Sequence, residues 1–322
     1  MKKIAVVGGG NSSEFEISLK SASAVLKALS DNYKAYLVNI KGLDWYWEDQ
    51  NGRAFPVNKD NFSIKLEDKT IRFDAVFIAI HGKPGENGQL QGYLDMIGIP
   101  YSSCDAFSSA LTFNKHACKL FLKNYNIPMA RWVKISKGEK TDFEAISNQT
   151  GLPCFVKPND SGSSFGVSKV SKQDDLPAAI KEAFKESGSV LVESILEGTE
   201  VCCGVFKSAE KEHVLPITEI RSKNEFFDYE AKYNPEKADE ITPAEIPDKV
   251  YKDVQSLSSK IYDLLDCKGL VRVDFIIVDN TPFFIEINSV PGMTEESIIP
   301  KQINAYGILP SKFYSEIIES MF

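Results

Sequence analysis

The sequence predicts an α/β chain with an open sheet at its N-terminal end, giving way to α+β units further on. Three observations predict it. Apolar runs of strand length alternate with helix-period segments over the first hundred residues. From about residue 105 the pattern changes to two short helices, a strand, a helix and a hairpin-like pair. From residue 190 onward strands dominate. With 322 residues the chain is about twice as long as a typical domain. It reads as three units, 1–104, 105–189 and 190–322. An apolar content of 43% and a charged content of 25% exclude disorder and collagen-like repeats.

KIAVV reads as a buried parallel strand and GGGNSS as the turn after it. A helix then carries Phe15, Leu19, Ala22, Val25, Leu26 and Leu29 at helical spacing, with Ser13 and Glu16 placed as a capping box. AYLVNI and DAVFIAI are further strands, and QLQGYLDMIG is a helix. DAFSSAL and KHACKLFLKNY are the two short helices of the second unit. PCFVKP and GVSKV form its hairpin-like pair, joined by NDSGSSF. In the third unit VLVES, EVCCGVF, HVLPITEI, VRVDFIIVD and FFIEIN are strands, interrupted by the helix PDKVYKDVQSLSSKIYDLL and closed by two short helices. Residues 221–247 mix charge, aromatics and three prolines and read as one long loop, the kind that serves as a lid.

The net charge is −8, from 37 Lys and Arg against 45 Asp and Glu. An acidic chain has no general attraction for nucleic acid or anionic membranes, so any anion it binds must meet a local basic site. Six cysteines without a C-x-x-C pair, and only three histidines, argue for buried reduced thiols and against zinc. The apolar run in MKKIAVVGGG is too short for a signal peptide, and no stretch approaches the roughly 18 apolar residues of a membrane span. A cytoplasmic protein is expected.

Several segments carry chemistry. KPNDSGSSFG follows a strand and combines Lys157 with Gly162, Ser163, Ser164 and Gly166. Its backbone N–H groups suit phosphate oxygens, although it is not a Walker A sequence, and a plain hairpin loop would look similar. In VRVDFIIVDNTPFFIEIN, period-2 alternation puts Arg272 and Asp274 on one strand face and Glu286 and Asn288 on one face of the next. A hairpin centred near Asn280 sets Asp274 opposite Glu286 and Arg272 opposite Asn288. All-oxygen ligands so placed suit Mg²⁺, and a solvent-facing polar side is the other reading. Ser297, after a Pro-Gly turn, stands near a helix start, where it meets a carboxylate or simply caps. Glu14 sits beyond the first strand, as a ligand group or as compensation for the helix dipole. HGKPGENGQLQG, with His81, is a ligand-approach loop or ordinary turn chemistry.

GGGNSSEFEIS, HGKPGENGQLQGYLDMIGIPY, the Asn114-Lys115 pair, FVKPNDSGSSFGVSKV, DYEAKY, VRVDF and IEINSVPGMTEESIIP occur in this order. Together they resemble the D-alanine–D-alanine ligases of the ATP-grasp superfamily over essentially the whole chain. The resemblance implies an ATP-grasp fold behind a Rossmann-like N-terminal domain. It implies an ATP-dependent ligase that joins two D-alanines through a D-alanyl phosphate for peptidoglycan synthesis, with Mg²⁺ or Mn²⁺ as a pair of ions, and a homodimer. It implies that Glu14 receives the ammonium of the first D-alanine and forms a hydrogen-bonded triad with Ser163 and Tyr233. Lys115, Lys157 and Lys232 match phosphate-binding lysines, with Ser163 and Ser164 in the same loop. Glu193 and Leu196 fall where the hinge strand meets adenine, and Glu200 where a carboxylate meets the ribose. Asp274, Glu286 and Asn288 match the metal ligands, and Arg272 and the Gly292 N–H match the oxyanion site. Ser297 matches the residue meeting the second D-alanine's carboxylate, and His81 lies near the first substrate.

The tyrosine in DYEAKY matches dipeptide formers, whereas phenylalanine there resembles D-alanine–D-lactate ligases. Phe15 departs from the family in replacing a common basic residue, and NDSGSS is less charged than other versions of the loop. The alternatives are the D-lactate ligase, a catalytically silent ATP-binding protein of the same fold, and a dehydrogenase suggested by the first glycines alone. An intact oxyanion arginine argues against the silent protein.

Overall fold

A computed structural model of the chain describes residues 1–162, 165–222 and 238–322. Three sheets organise it. The first is built on the parallel strands β1 (Lys3–Gly9), β2 (Lys34–Lys41) and β7 (Ala75–Ile78), with β1 in the middle. Four antiparallel strands extend it beyond β2: β3 (Asp44–Glu48), β4 (Ala54–Asn58), β5 (Ser63–Lys65) and β6 (Thr70–Arg72). The sequence pattern had not marked these four as strands. Helices α1 (Phe15–Leu29) and α2 (Gln89–Ile97) follow β1 and β7.

The glycine run after β1 has a packing reason. A Cβ on Gly8 would stand 2.7 Å from the Ala22 Cβ, so its absence lets α1 press on β1. Gly9 and Gly10 hold φ of +97° and +104°, conformations that favour glycine. The expected capping box is absent. The helix starts at Phe15 with Glu14 in the cap position, and no side chain caps it. The Glu14 carboxylate is instead turned toward neighbouring loops.

Helices α3 (Ala106–Phe113) and α4 (Lys115–Lys123) start on Asp105 and Asn114, whose side chains accept the N–H groups of Ser108 and Ala117. The second sheet contains β8 (Trp132–Ser136), β9 (Cys154–Pro158), β10 (Ser168–Val170) and β11 (Ser189–Ser194), in the order β10-β9-β11-β8. Helices α5 (Phe143–Thr150) and α6 (Leu176–Ala183) cover it. The hairpin-like pair is present as β9 and β10. The VLVES strand, which the sequence reading sets at the start of the third unit, pairs with both β8 and β9, so the second sheet ends after Ser194.

The third sheet holds β12 (Thr199–Lys207), β13 (Glu212–Val214), β14 (Thr218–Ser222), β15 (Ala238–Ile241), β16 (Leu270–Val278) and β17 (Thr281–Asn288). Helix α7 (Asp248–Leu264) packs on it, and α8 (Ile298–Ala305) and α9 (Pro310–Glu319) close the chain. The stretch 221–247, expected to be loop throughout, is strand at 221–222 and 238–241, where β14 pairs with β15. The residues between, 223–237, lie outside the described residues.

One apolar core joins the first and third units. Ile4, Val6, Ala22 and Phe77 from the first sheet and α1 pack with Phe206, Leu270, Ile299, Phe313 and Ile317. The second sheet has its own smaller core around Ile135, Val156, Leu176 and Val190. No helix among the described residues is long and apolar enough to cross a membrane.

Candidate active site

The β16–β17 hairpin turns at Asp279 and Asn280, both at positive φ (48° and 63°), as a two-residue turn of the primed kind requires. That turn fixes the register. Arg272 stands opposite Asn288 and Asp274 opposite Glu286, with a bulge immediately beyond, between Asp274 and Phe275. Arg272 donates from Nε and a terminal nitrogen to the two Asp274 oxygens at 2.7 Å each, and Asn288 Nδ2 donates to Asp274 Oδ2 at 3.0 Å. Glu286 Oε2 lies 3.3 Å from Lys115 Nζ. No trio of His, Cys, Asp and Glu among the described residues gathers to hold a metal. A cation here needs the Asn288 oxygen as its third protein donor. Two carboxylates and an amide oxygen from facing strands fit a hard divalent cation such as Mg²⁺.

Lys115 opens α4 and donates from Nζ to the Ser161 carbonyl at 2.7 Å. Asn159 ties the same helix start to the glycine–serine loop. Its carbonyl accepts the Lys115 N–H, and its Oδ1 accepts the His116 N–H at 2.8 Å. Lys157 on β9 and Glu193 on β11 make an ion pair at 2.6 Å, and Lys119 reaches the other Glu193 oxygen at 2.6 Å. Lys115, Lys119, Lys157, Glu193, Leu196, Glu200 and Glu286 wall a cavity of about 170 Å³ between the second and third sheets. A larger cavity of about 530 Å³, walled in part by Tyr101, Lys207, Lys268 and Ile317, lies elsewhere and gathers none of the expected site residues.

Glu14 is buried and meets the loop from the first unit. A Cβ on Gly162 would fall 2.5 Å from Glu14 Oε2, so the carboxylate lies against bare backbone. His81, also buried, is fixed at both nitrogens: Nδ1 to the Val290 carbonyl at 3.0 Å and Nε2 to Ser21 Oγ at 2.9 Å. A carbonyl only accepts, so Nδ1 carries the proton and Ser21 donates to Nε2. Burial pulls the imidazole pKa down, and the charge of Glu14 opposes this without prevailing, so the ring is neutral. Ser21 Oγ also accepts the Met293 N–H at 3.3 Å, tying α1 to the turn that contains Gly292. Ser297 stands at the cap position of α8, but its hydroxyl does not cap. It accepts the Thr294 N–H at 3.1 Å and lies 2.7 Å from Thr294 Oγ1.

Glu86 was not singled out, although it lies in the HGKPGENG motif. It accepts the Gly82 N–H at 2.7 Å, and burial, then the charge of Glu14, pushes its pKa up to about 8. Lys119 was also missed. Its signal was present, since it stands one turn after Lys115 on the same helix face. Ser163, Ser164, Lys232 and Tyr233 lie outside the described residues.

Two family models match the chain, D-ala D-ala ligase N-terminus over residues 3–104 and D-ala D-ala ligase C-terminus over residues 121–319. A D-alanine–D-alanine ligase from Phocaeicola vulgatus is 45% identical over 100% of this chain and 99% of its own length. Among solved structures, D-alanyl-alanine synthetase A from Vibrio cholerae superposes with a TM-score of 0.89 at 27% identity, covering 99% and 98% of the two chains. The VanG D-Ala:D-Ser ligase from Enterococcus faecalis gives 0.87 at 32% identity, covering 100% and 99%. A D-alanine–D-alanine ligase from Bacillus anthracis complexed with ATP gives 0.79 at 31% identity, covering 99% and 96%.

Proposed function

This chain belongs to the D-alanine–D-alanine ligase family, and we propose that it joins two D-alanines in the cavity region described above, with ATP as the energy source, for peptidoglycan synthesis. The observation that carries the reading is geometric. Lys115, Lys157, Glu200 and Glu286, drawn from α4 and two different sheets, wall one cavity beside the face that holds Arg272, Asp274 and Asn288. The ATP complex of the Bacillus anthracis relative supports ATP as the nucleotide.

Each residue type suits the chemistry. A carboxylate and an ammonium do not condense readily in water, so the first D-alanine's carboxylate takes the γ-phosphoryl group of ATP and becomes an acyl phosphate. Such a transfer needs little covalent help and much charge placement. Lys115 and Lys157 supply cations at the cavity wall. Asp274, Glu286 and Asn288 would hold Mg²⁺, which when bound neutralises phosphate charge. Glu14, on the bare backbone of Gly162, receives the first D-alanine's ammonium. The second D-alanine's amine, in its neutral form, then attacks the acyl carbon. The Arg272 guanidinium and the Gly292 N–H meet the oxyanion, where one well-aimed donor contributes about 3 kcal/mol. Phosphate leaves, and Ser297 orients the second carboxylate.

Purified protein given ATP, Mg²⁺ and D-alanine should release phosphate and dipeptide in equal amounts, and EDTA should stop both. Absence of dipeptide would sink the reading. D-lactate or D-serine outcompeting D-alanine near neutral pH would reassign the second substrate. The ATP requirement and six free thiols support a cytoplasmic setting. A homodimer is supported by exposed Met96 and Phe107 on α2 and α3, which meet at Gly92 and Ala106. Sedimentation as a monomer at micromolar concentration would exclude it.

A further inference from the structure

Three glutamates, Glu193, Glu200 and Glu286, stand in the wall of a cavity that has to admit a polyanion. Glu193 is paired from both sides. Its Oε1 meets Lys119 Nζ and its Oε2 meets Lys157 Nζ, both at 2.6 Å. Lys119 is the deeper cation, with its side chain 1% exposed against 10% for Lys157. Its ammonium lies 5.4 Å over the Trp132 ring.

We propose that Lys119 is a positioning residue for the phosphate site, acting through Glu193 so that Lys157 keeps uncompensated positive charge at the cavity wall. Burial pulls the Lys119 pKa below its ordinary value, with Glu193 opposing, and with both lysines protonated two ammonium groups and one carboxylate sum to +1. Without Lys119 the sum is zero, and the Lys157 ammonium is committed to Glu193. Burial pushes the Glu193 carboxyl up, and Lys119, then Lys157, outweigh it and hold the group below its ordinary range. A purely structural need would be met by one lysine, and an apolar pair of similar volume would serve stability as well as buried ions do. A second buried lysine makes sense where the first is required elsewhere. This rests on the nucleotide reading of the cavity given above.

Calorimetric titration of Mg²⁺ and ATP, and separately of adenosine, into wild type, K119M, E193Q and K119M/E193Q tests the assignment. Methionine keeps the unbranched stem and removes the charge. K119M should weaken ATP binding by about tenfold or more, as loss of one partner of a buried charge cluster does, and weaken adenosine by a much smaller factor. K119M/E193Q, whose charges again sum to +1, should bind ATP relative to adenosine about as wild type does, because no carboxylate remains to draw on Lys157. That comparison does not depend on K119M folding. ATP and adenosine weakening by the same factor would overturn the proposal, as would a double variant whose ATP binding relative to adenosine falls about tenfold below wild type. Wild type binding ATP beside an indifferent K119M overturns it alone. Failure of wild type to bind ATP overturns the nucleotide reading and this proposal with it.

Discussion

Glu86 sits buried beside the charge of Glu14 and keeps its proton up to a pH of about 8, whereas the unfolded chain releases it near 4.5. Below 4.5 both states are protonated, and the full contribution of the buried acid is present. As pH rises from 4.5 toward 8, only the unfolded chain loses the proton, so stability falls across that window. The slope from this one group is on the order of 1.4 kcal/mol per pH unit. Glu86→Gln keeps the oxygen that accepts the Gly82 N–H and cannot ionise. Urea unfolding of that variant should lose the slope between pH 5 and 8. An unchanged slope would place the titration elsewhere. His81 behaves differently: its neutral ring is locked between Val290 and Ser21, which makes it a tie between α1 and the Gly292 turn. At this scale the sequence marked Glu14, His81, Arg272 and Ser297 by motif. It did not mark Glu86, whose chemistry is decided by burial and by Glu14 far along the chain. The spacing of Lys119 from Lys115 was legible, but its pairing with the distant Glu193 was not.

Among elements, the glycine–serine loop depends on a residue that has no side chain. Gly162 does not need glycine for its φ, yet a Cβ there would lie 2.5 Å from Glu14 Oε2 and 3.1 Å from Cδ. Gly162→Ala should displace the Glu14 carboxylate or the loop by a fraction of an ångström to an ångström. Misplacement of that size costs about 100-fold in turnover. Steady-state phosphate release should show this while the circular dichroism melt stays near wild type, and full turnover would mean that the loop and Glu14 part without consequence. The β16–β17 hairpin shows what was legible. Its alternation and its Asp279–Asn280 turn lie within 17 consecutive residues, so local sequence sets the register that brings Asp274 opposite Glu286. Strands β3 to β6 were not legible for the opposite reason. They are three to five residues long, carry a proline at 56, and exist because each pairs with its neighbour beyond β2. The capping box failed similarly: Ser13 and Glu16 had the right spacing, but the helix begins one residue after Glu14, whose carboxylate faces the Gly162 loop.

Taken whole, the molecule divides by its cores rather than by its chain. The first and third units share one apolar core through Ile4, Phe77, Leu270, Ile299 and Phe313, while the second sheet packs around Ile135, Val156 and Leu176. The proposed nucleotide cavity lies between these two bodies, walled by Phe155 and Lys157 on one side and by Ile276 and Glu286 on the other. The net charge of −8 says little about it, since the cations that matter are a few lysines and Arg272 set at that seam. A division by core predicts separable local stability. Ile135→Ala, in β8, should cost about 2–5 kcal/mol within the second body alone. Hydrogen exchange should then speed in β8, β9 and β11 and stay unchanged in β1 and β16. Ile299→Ala, in the shared core, should speed exchange in β1 and β12 together and spare β9. Bound ATP touches both bodies, so saturating ATP should slow exchange in β9 of the Ile135→Ala protein, by an amount that rises with ligand concentration as binding linkage requires. Uniform exchange across all three sheets in either variant would show that the chain unfolds as one unit and that the seam is no mechanical boundary.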